Sequence, residues 1–280
     1  MNNKSIAEIK VLADAGDINA QYELGDRYMN GIDVEESWST AFNWYLRAAE
    51  QGYDEAQYAV ADCYSVGLGV DCDFEAAYNW YLKAAEQGNA AAQYDVAECK
   101  YFGQGVETNK NDAFEWYIKS ADNGYSGAQI ELGIFYETGE IVERDLIEAE
   151  KWYRKSAEQG DTTGQYNLAC LYMYYDNFID KRDQCLELFM LAAQDGSSDA
   201  MCNVGYCYEN GYGTEIDYQK ANEWYLRSAE LGNAVAACNL GESYELGKGV
   251  ELDIQTAIKW YRLAADNGDE DAKKKLNEFA

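Results

Sequence analysis

The chain has 280 residues, 48% of them apolar, and its 51 acidic and 22 basic side chains give a net charge of −29. Such acidity makes nucleic acid an unfavourable partner and attracts basic proteins, although solubility alone would also account for it. Histidine is absent, which excludes histidine-ligated metal sites, Ser-His-Asp triads and Cys-His nucleophiles. No apolar run is long enough to span a bilayer, and the first residues lack the apolar segment of a signal peptide. We therefore expect no membrane insertion.

A twelve-residue segment with a central Trp-Tyr pair recurs along the chain. It reads AFNWYLRAAEQG at 41–52 and AYNWYLKAAEQG at 77–88. The pairs recur every 36 residues, except that one copy carries Leu188 and Phe189 instead. The tryptophans of the other copies are Trp44, Trp80, Trp116, Trp152, Trp224 and Trp260. A fixed period of this length predicts a repeat array in which each unit packs only on its neighbours.

Each repeat contains two helical patterns, here called helix A and helix B. In helix A of the first repeat, Ala20, Leu24 and Tyr28 are spaced by four residues and so lie on one face. The position after Leu24 is Gly or Ala in every repeat, as expected if helix B crosses closely there. Trp44 and Tyr45 lie on the apolar stripe of helix B, and we predict that both fill the gap toward the next repeat.

These patterns predict an all-α fold of sixteen helices with no separate domain. Residues 1–16 are predicted to form an N-terminal capping helix, residues 17–268 seven repeats, and residues 269–280 a C-terminal capping helix. The predicted repeats are 17–52, 53–88, 89–124, 125–160, 161–196, 197–232 and 233–268.

The eight cysteines fall at repeated positions rather than in pairs. Cys63, Cys99 and Cys207 occupy one position of different repeats, and Cys202 and Cys238 occupy another. Equivalent positions of adjacent repeats should lie about 8–10 Å apart, which is beyond disulfide reach. We therefore predict thiols that pack as small core residues in a reducing, cytoplasmic compartment.

The repeat resembles the Sel-1-like repeat, a subclass of the tetratricopeptide superfamily. The shared pattern is A-x-x-x-L-G-x-x-Y, then G-x-G-V, a capping Asp, and W-Y-x-K-A-A-E-x-G, and residues 236–268 match it almost position by position. The resemblance implies an α-solenoid, a right-handed superhelix of antiparallel helix pairs whose A helices line a concave groove. It also implies an adaptor or scaffold for a protein or peptide, often in bacterial pathways.

One side of each helix A is predicted to line that groove. In the first three repeats this side places a tyrosine four residues before an acid, which could hold Lys or Arg by cation–π contact and ion pairing. Later repeats place Asn there, whose amide could bind a peptide backbone. Two alternatives stay open, since the tyrosines could pack between neighbouring A helices and the acids could simply be solvated. The predicted partner-binding residues are Tyr22, Asp26, Tyr58, Asp62, Tyr94, Asp95, Glu98, Glu131, Tyr166, Asn167, Asn203, Tyr206, Asn239 and Glu242.

The fifth repeat is the irregular one. Its Gly-x-Gly turn is replaced by aromatic and polar residues, which suggests a specificity loop with an aromatic lip at Tyr174, Tyr175 and Phe178. The alternative is neutral drift of one unit in an array that tolerates it.

The function predicted from these features is an adaptor or scaffold that binds a basic protein or peptide in the groove. The alternative is an inhibitor or immunity-type protein that neutralises one basic toxin or nuclease. No enzymatic activity, cofactor or metal site is predicted, and the oligomeric state is left open.

Overall fold

A computed structural model describes residues 5–279, which form sixteen α-helices and no β-strand. The chain divides into two compact units, Met1–Asp145 and Leu146–Ala280. Helices of type A and type B alternate within each unit. Inside a unit, an A helix packs on the B helix that follows it.

Unit 1 starts with a capping B-type helix and continues with A helices (α2, α4, α6, α8) separated by B helices (α3, α5, α7). The bounds are α1 Ile6–Asp14, α2 Ile18–Asn30, α3 Trp38–Glu50, α4 Asp54–Val66, α5 Phe74–Glu86, α6 Ala90–Phe102, α7 Lys110–Asp122 and α8 Ser126–Thr138.

Unit 2 continues the alternation with B helices α9, α11, α13 and α15 and A helices α10, α12, α14 and α16. The bounds are α9 Leu146–Glu158, α10 Thr162–Tyr174, α11 Cys185–Ala192, α12 Ser198–Asn210, α13 Tyr218–Glu230, α14 Ala234–Leu246, α15 Ile254–Asp266 and α16 Glu270–Glu278.

The turn between helices A and B requires glycine for two separate reasons. The first glycine ends helix A in the left-handed conformation, as at Gly67 with φ +73°. The second lies against the backbone of the preceding repeat, so that a Cβ on Gly69 would stand 2.3 Å from the carbonyl oxygen of Trp38. A side chain then caps helix B, as when Asp73 accepts a hydrogen bond from the amide of Ala76 at 3.0 Å.

Helices A and B of one repeat cross closely at the predicted small position. A Cβ on Gly25 would stand 2.5 Å from the ring of Tyr45, and one on Gly241 would stand 2.7 Å from the ring of Tyr261. The Tyr ring of the Trp-Tyr pair therefore occupies the space that a larger side chain would take.

The two rings of the Trp-Tyr pair pack on different sides of helix B. Tyr45 packs in a cluster with Ala56 and Val60 of the next repeat. Trp44 instead packs against a cluster on the preceding side, which consists of Ile9, Ala13, Ala20 and Leu24. The prediction that both rings face the next repeat is wrong for the tryptophan, because consecutive residues point about 100° apart around a helix.

Five of the helix B tryptophans carry a basic residue three positions later over the ring. The charged groups lie 3.5–4.8 Å from the ring centres, as cation–π contacts require. The pairs are Arg47 on Trp44, Lys83 on Trp80, Lys119 on Trp116, Lys155 on Trp152 and Arg227 on Trp224. Five of the 22 cations are thus engaged on the B helices.

The fifth repeat replaces the glycine turn with a 3-10 segment, Asp176–Gln184. A buried carboxylate holds this segment in place: Glu150 accepts hydrogen bonds from Lys181 Nζ and the Tyr172 hydroxyl, both at 2.7 Å, and also from Arg154. These partners hold the pKa of Glu150 below its usual value despite burial.

All eight cysteines lie in the described residues, and no disulfide joins them. Five are buried, namely Cys63, Cys99, Cys185, Cys202 and Cys207. Burial raises their thiol pKa values, to about 11 for Cys63 and about 12 for Cys99, so these side chains behave as small uncharged core residues.

Candidate partner-binding face

The predicted tyrosines and acids of unit 1 lie on the same side of four successive A helices, α2, α4, α6 and α8. We call this surface the acidic tyrosine face. Its residues are Tyr22, Asp26, Tyr58, Asp62, Tyr94, Asp95, Glu98 and Glu131, all of them half-buried.

The tyrosines of this face pack on the buried tyrosine of helix B in their own repeat. The ring centres of Tyr58 and Tyr81 are 5.7 Å apart, and the same distance separates Tyr94 from Tyr117. In the first repeat, the ring of Tyr22 lies 5.5 Å from that of Tyr45. One part of each ring is therefore used for packing, while the rest stays at the surface.

The acids at the Asp26 position accept hydrogen bonds from these buried tyrosines. The Tyr45 hydroxyl donates to Asp26 at 2.7 Å, and the Tyr81 hydroxyl donates to Asp62 at 2.6 Å. Tyr117 donates to Glu98 in the same way. These acids are therefore more than solvated surface charges, because each satisfies a phenol that burial would otherwise leave unpaired.

Sequence reasoning missed this pairing, although the signal was present. The acid precedes the tyrosine by 19 residues in each of the three repeats. The sequence pattern indicated the acids only as ligands for a partner or as solvated charges. It indicated the tyrosines of helix B only as apolar side chains that fill space.

Asp95 belongs to a second kind of contact, between neighbouring A helices. Its carboxylate is hydrogen-bonded to the hydroxyl of Tyr58 in the preceding repeat. Burial raises the pKa of Asp95 to about 7, and the nearby negative charges of Asp62 and Glu98 act in the same direction. Tyr94, Asp95 and Glu98 line part of a cavity of about 250 Å³ at this point.

Burial also raises the pKa values of the other carboxylates of the face for which a shift is resolved. This holds for Asp26 and Asp62, and for Glu131, where Glu98 adds further repulsion. The folded chain therefore holds these charges at a cost in free energy.

Cations within the described part of unit 1 are engaged elsewhere. Arg27 pairs with Glu23 and Asp33, and Lys100 pairs with Asp112. Among residues 5–145, no ion pair involves Asp26, Asp62, Asp95, Glu98 or Glu131. The acidic tyrosine face thus combines uncompensated negative charge with exposed aromatic edges, an arrangement that can bind ammonium or guanidinium groups.

The predicted residues of unit 2 form a different surface, which we call the amide face. It comprises Tyr166, Asn167, Asn203, Tyr206, Asn239 and Glu242. Asn203 donates to the Tyr166 hydroxyl at 3.4 Å, and the Asn239 amide lies 4.0 Å from the sulfur of Cys202. The acid of this face, Glu242, is paired with Lys248 at 3.0 Å. Its charge is therefore compensated.

Comparison with known proteins establishes the family. A family model of the Sel1 repeat matches seven consecutive segments, 18–53, 54–89, 90–125, 126–161, 162–197, 198–233 and 234–269. The chain belongs to the Sel1 repeat family. No curated protein sequence matches it.

Solved structures of Sel1 repeat proteins are similar to this chain. The protein c5321, a protective antigen of uropathogenic Escherichia coli with an SLR fold, is 35% identical, with a TM-score of 0.90 over 97% of this chain and 58% of its own. This chain therefore spans little more than half of c5321. A Sel1 repeat protein from Oxalobacter formigenes is 28% identical, with a TM-score of 0.71 over 87% of this chain and 96% of its own.

The fifth Sel1 repeat does not present the predicted aromatic lip. Phe178 is only 1% exposed and packs against Tyr172, with ring centres 5.6 Å apart, because the 3-10 segment turns it into the core. Tyr174 is 62% exposed and donates to Asn203 Oδ1 at 3.4 Å, and Tyr175 is half-buried. The two tyrosines remain at the surface, and the phenylalanine is a structural residue.

Two further features of the described residues bear on what these Sel1 repeats can bind. Within the described residues, no group of three or more Cys, Asp or Glu side chains is arranged to hold a metal ion. None of the helices in residues 5–279 is long and apolar enough to cross a bilayer.

Proposed function

We propose that this Sel1 repeat protein is an adaptor or scaffold that binds a lysine- or arginine-rich segment of a partner protein on its acidic tyrosine face. The fold is suited to protein–protein interaction, and the proposal concerns which surface acts and which chemistry it recognises. The observation that carries it is the set of carboxylates on α2, α4, α6 and α8 that have no cationic partner within the described residues of unit 1.

The amide face supports the proposal by contrast. The Tyr166 hydroxyl accepts a hydrogen bond from the neutral amide of Asn203, whereas the equivalent Tyr58 hydroxyl donates to the carboxylate of Asp95. A neutral side chain at the Asp95 position is therefore compatible with the fold. A carboxylate costs more to bury, as the raised pKa of Asp95 indicates, so its charge is best explained by a ligand.

The chemistry of the face favours cations over other groups. An ammonium or guanidinium group bound beside Asp95 would stabilise the ionised carboxylate and lower its pKa again. The surface edges of Tyr58 and Tyr94 offer π-electron density to the same group. Nucleic acid would meet only repulsion here.

Calorimetric titration with an acetylated octalysine peptide tests this proposal. The variant Asp95→Asn/Glu131→Gln removes two charges from the face without touching the acceptors of the buried tyrosines. We expect its dissociation constant to rise by roughly tenfold, with a shallower dependence on salt. The matched control, Glu86→Gln/Glu115→Gln, removes two exposed charges from B helices and should change the constant by less than about twofold. Equal losses in both variants would show that only the net charge matters.

A second candidate function is an inhibitor or immunity-type protein for one basic toxin or nuclease. The net charge of −29 favours fast association with such a partner. A single partner bound with nanomolar affinity would favour this function, whereas similar affinity for several basic segments would favour the adaptor. In either case we propose a reducing compartment such as the cytoplasm, because the buried cysteines are unbridged.

A further inference from the structure

A groove of about 600 Å³ runs along α11, the B helix of the fifth repeat, and we call it the α11 groove. Leu186, Met190 and Leu191 of α11 give it an apolar lining together with Trp224 of α13. Met190 is 41% exposed, so this lining is within reach of a partner. The volume falls in the range of about 300–1,000 Å³ that is usual for ligand sites. The groove lies on B helices and is separate from the acidic tyrosine face and the amide face, which lie on A helices.

The position of Leu186 carries an aromatic ring in other repeats. In the first repeat it is Phe42, whose ring centre lies 5.3 Å from that of Tyr64 in the next helix A. In the third repeat it is Phe114, which packs in the same way at 6.0 Å from Tyr136. Leu186 brings no ring to this position. The α11 groove therefore adjoins a place where other repeats bury a ring of their own, and an apolar side chain from a partner would cover the shorter leucine.

The α11 groove is also negatively charged. Leu191 occupies the position at which five other B helices hold a basic residue over their tryptophan. No Lys or Arg side chain lines the groove, whereas Asp183 and Glu187 do. Among residues 146–279, neither of these carboxylates takes part in an ion pair. An apolar occupant with basic residues beside it would match the groove in both polarity and charge.

We propose that the α11 groove binds a short amphipathic helix of a partner protein, with apolar side chains on one face and lysine or arginine beside them. The walls of the groove are helices whose backbone groups are already bonded, so an extended peptide finds no backbone partners there, whereas a helix needs none. A second copy of this chain is disfavoured, because each copy carries a net charge of −29. The groove lies in unit 2, on different helices from the acidic tyrosine face, so either site can fail without the other.

Calorimetric titration of the full chain compares two acetylated and amidated peptides of identical leucine and lysine composition. In one peptide the leucines fall on a single face of a helix, and in the other a scrambled order spreads them around it. The charge is the same, so both peptides should bind the acidic tyrosine face alike. We expect the amphipathic peptide to bind the native chain about tenfold more tightly than the scrambled one. This preference should persist in Asp95→Asn/Glu131→Gln, which weakens only the acidic tyrosine face.

Leu191→Lys gives the α11 groove the cation that other B helices carry. It should raise the dissociation constant of the amphipathic peptide by about tenfold and that of the scrambled peptide by less than about twofold. Leu263 of α15 holds the same position in the seventh repeat and is 39% exposed, so Leu263→Lys is the matched control and should have little effect on either peptide. Met190→Gln, at a more exposed position, should also weaken the amphipathic peptide and provides a second variant if Leu191→Lys melts at a lower temperature.

Asp183→Asn/Glu187→Gln tests the basic character of the partner. It should weaken the amphipathic peptide by about fivefold and make its binding less dependent on salt. The control, Glu251→Gln/Asp266→Asn, removes the same kinds of charge from exposed positions of unit 2 and should change the constant by less than about twofold.

Equal affinity of the two peptides for the native chain would overturn the proposal, as would equal effects of Leu191→Lys and Leu263→Lys. Unchanged binding in Asp183→Asn/Glu187→Gln would show that the occupant is not basic. If sedimentation shows that the chain alone forms a dimer, and Leu191→Lys dissociates it, a second copy of the chain occupies the groove and the proposal is wrong.

Discussion

The two units satisfy the buried tyrosines of helix B with carboxylates from different positions of helix A. In unit 1, the buried tyrosines of helix B donate to acids at the Asp26 position, which belongs to the acidic tyrosine face. In unit 2, Tyr225 donates to Glu209 at 2.8 Å and Tyr261 donates to Glu245 at 2.5 Å, three residues further along helix A. The fold thus needs an acceptor for each phenol, but it does not dictate which position provides it.

The fifth repeat lacks both the phenol and its acceptor. Its helix B carries Phe189, which has no hydroxyl, and its helix A has Cys170 and Met173 at the two acceptor positions. Where the donor is absent, the acid is absent from both positions. The acid and the tyrosine therefore form one structural unit, whereas Asp95 and Glu131 lie outside it and are the better candidates for a functional role.

Removing an acceptor should have the largest effect on stability. Glu98→Leu leaves the buried hydroxyl of Tyr117 without a partner, and we expect the free energy of unfolding to fall by about 2–3 kcal/mol in urea titrations. Adding Tyr117→Phe should recover part of this loss, because the orphaned hydroxyl is removed as well.

The corresponding substitution in unit 2, Glu209→Leu, should cost a similar amount, with recovery by Tyr225→Phe. A loss confined to one unit, or no coupling between the acid and its tyrosine, would contradict the shared role of these acceptors.

Adding a donor to the fifth repeat should have a smaller effect. Phe189→Tyr places a hydroxyl beside residues that cannot accept well, and it should destabilise the chain by about 2 kcal/mol. Met173→Glu supplies an acceptor at the Glu209 position, so the double variant should be more stable than the sum of the single changes predicts. Additive losses in thermal or urea unfolding would contradict this arrangement.

Replacing Asp95 should have the smallest effect on stability, and the effect should depend on pH. The pKa of Asp95 is about 7 in the folded chain against an ordinary value of 3.8. Between these values the folded state binds more protons than the unfolded state, so this residue makes stability rise as pH falls from about 7 toward 4.

Asp95→Asn should therefore stabilise the chain by about 1 kcal/mol at pH 8, after allowance for partial solvation, and have almost no effect at pH 4. Unfolding titrations at the two pH values check this. The carboxylate of Asp95 is surrounded by Asp62, Glu98 and Tyr58. The variant Glu86→Gln, on α5, provides the control for the change in net charge. A destabilised Asp95→Asn at pH 8 would show that the carboxylate serves the fold.

The repeat architecture was predictable because it depends on residues that recur at a fixed spacing. The period of 36 residues, the glycine turn and the small position opposite Tyr45 each reflect a close contact that recurs in space. The family match, the sixteen helices and the close crossing of helices A and B confirm that interpretation. The resemblance to Sel1 repeats added the class of function but no partner.

The remaining features of the structure depend on side-chain geometry, which the 36-residue period does not determine. The direction of Trp44 follows from its angle around the helix, and the burial of Phe178 follows from a 3-10 segment with no counterpart in other repeats. The pairing of Asp62 with Tyr81 joins residues on different helices.

The most direct test of the account locates a bound cationic peptide on the chain. A nitroxide-labelled octalysine peptide broadens the backbone amide signals of residues close to it in NMR spectra of the labelled protein. The account predicts broadening centred on α4, α6 and α8, around Asp62, Asp95 and Glu131, with little in unit 2. Broadening spread over the B helices, or centred on the amide face, would contradict a specific cation-binding role for the acidic tyrosine face.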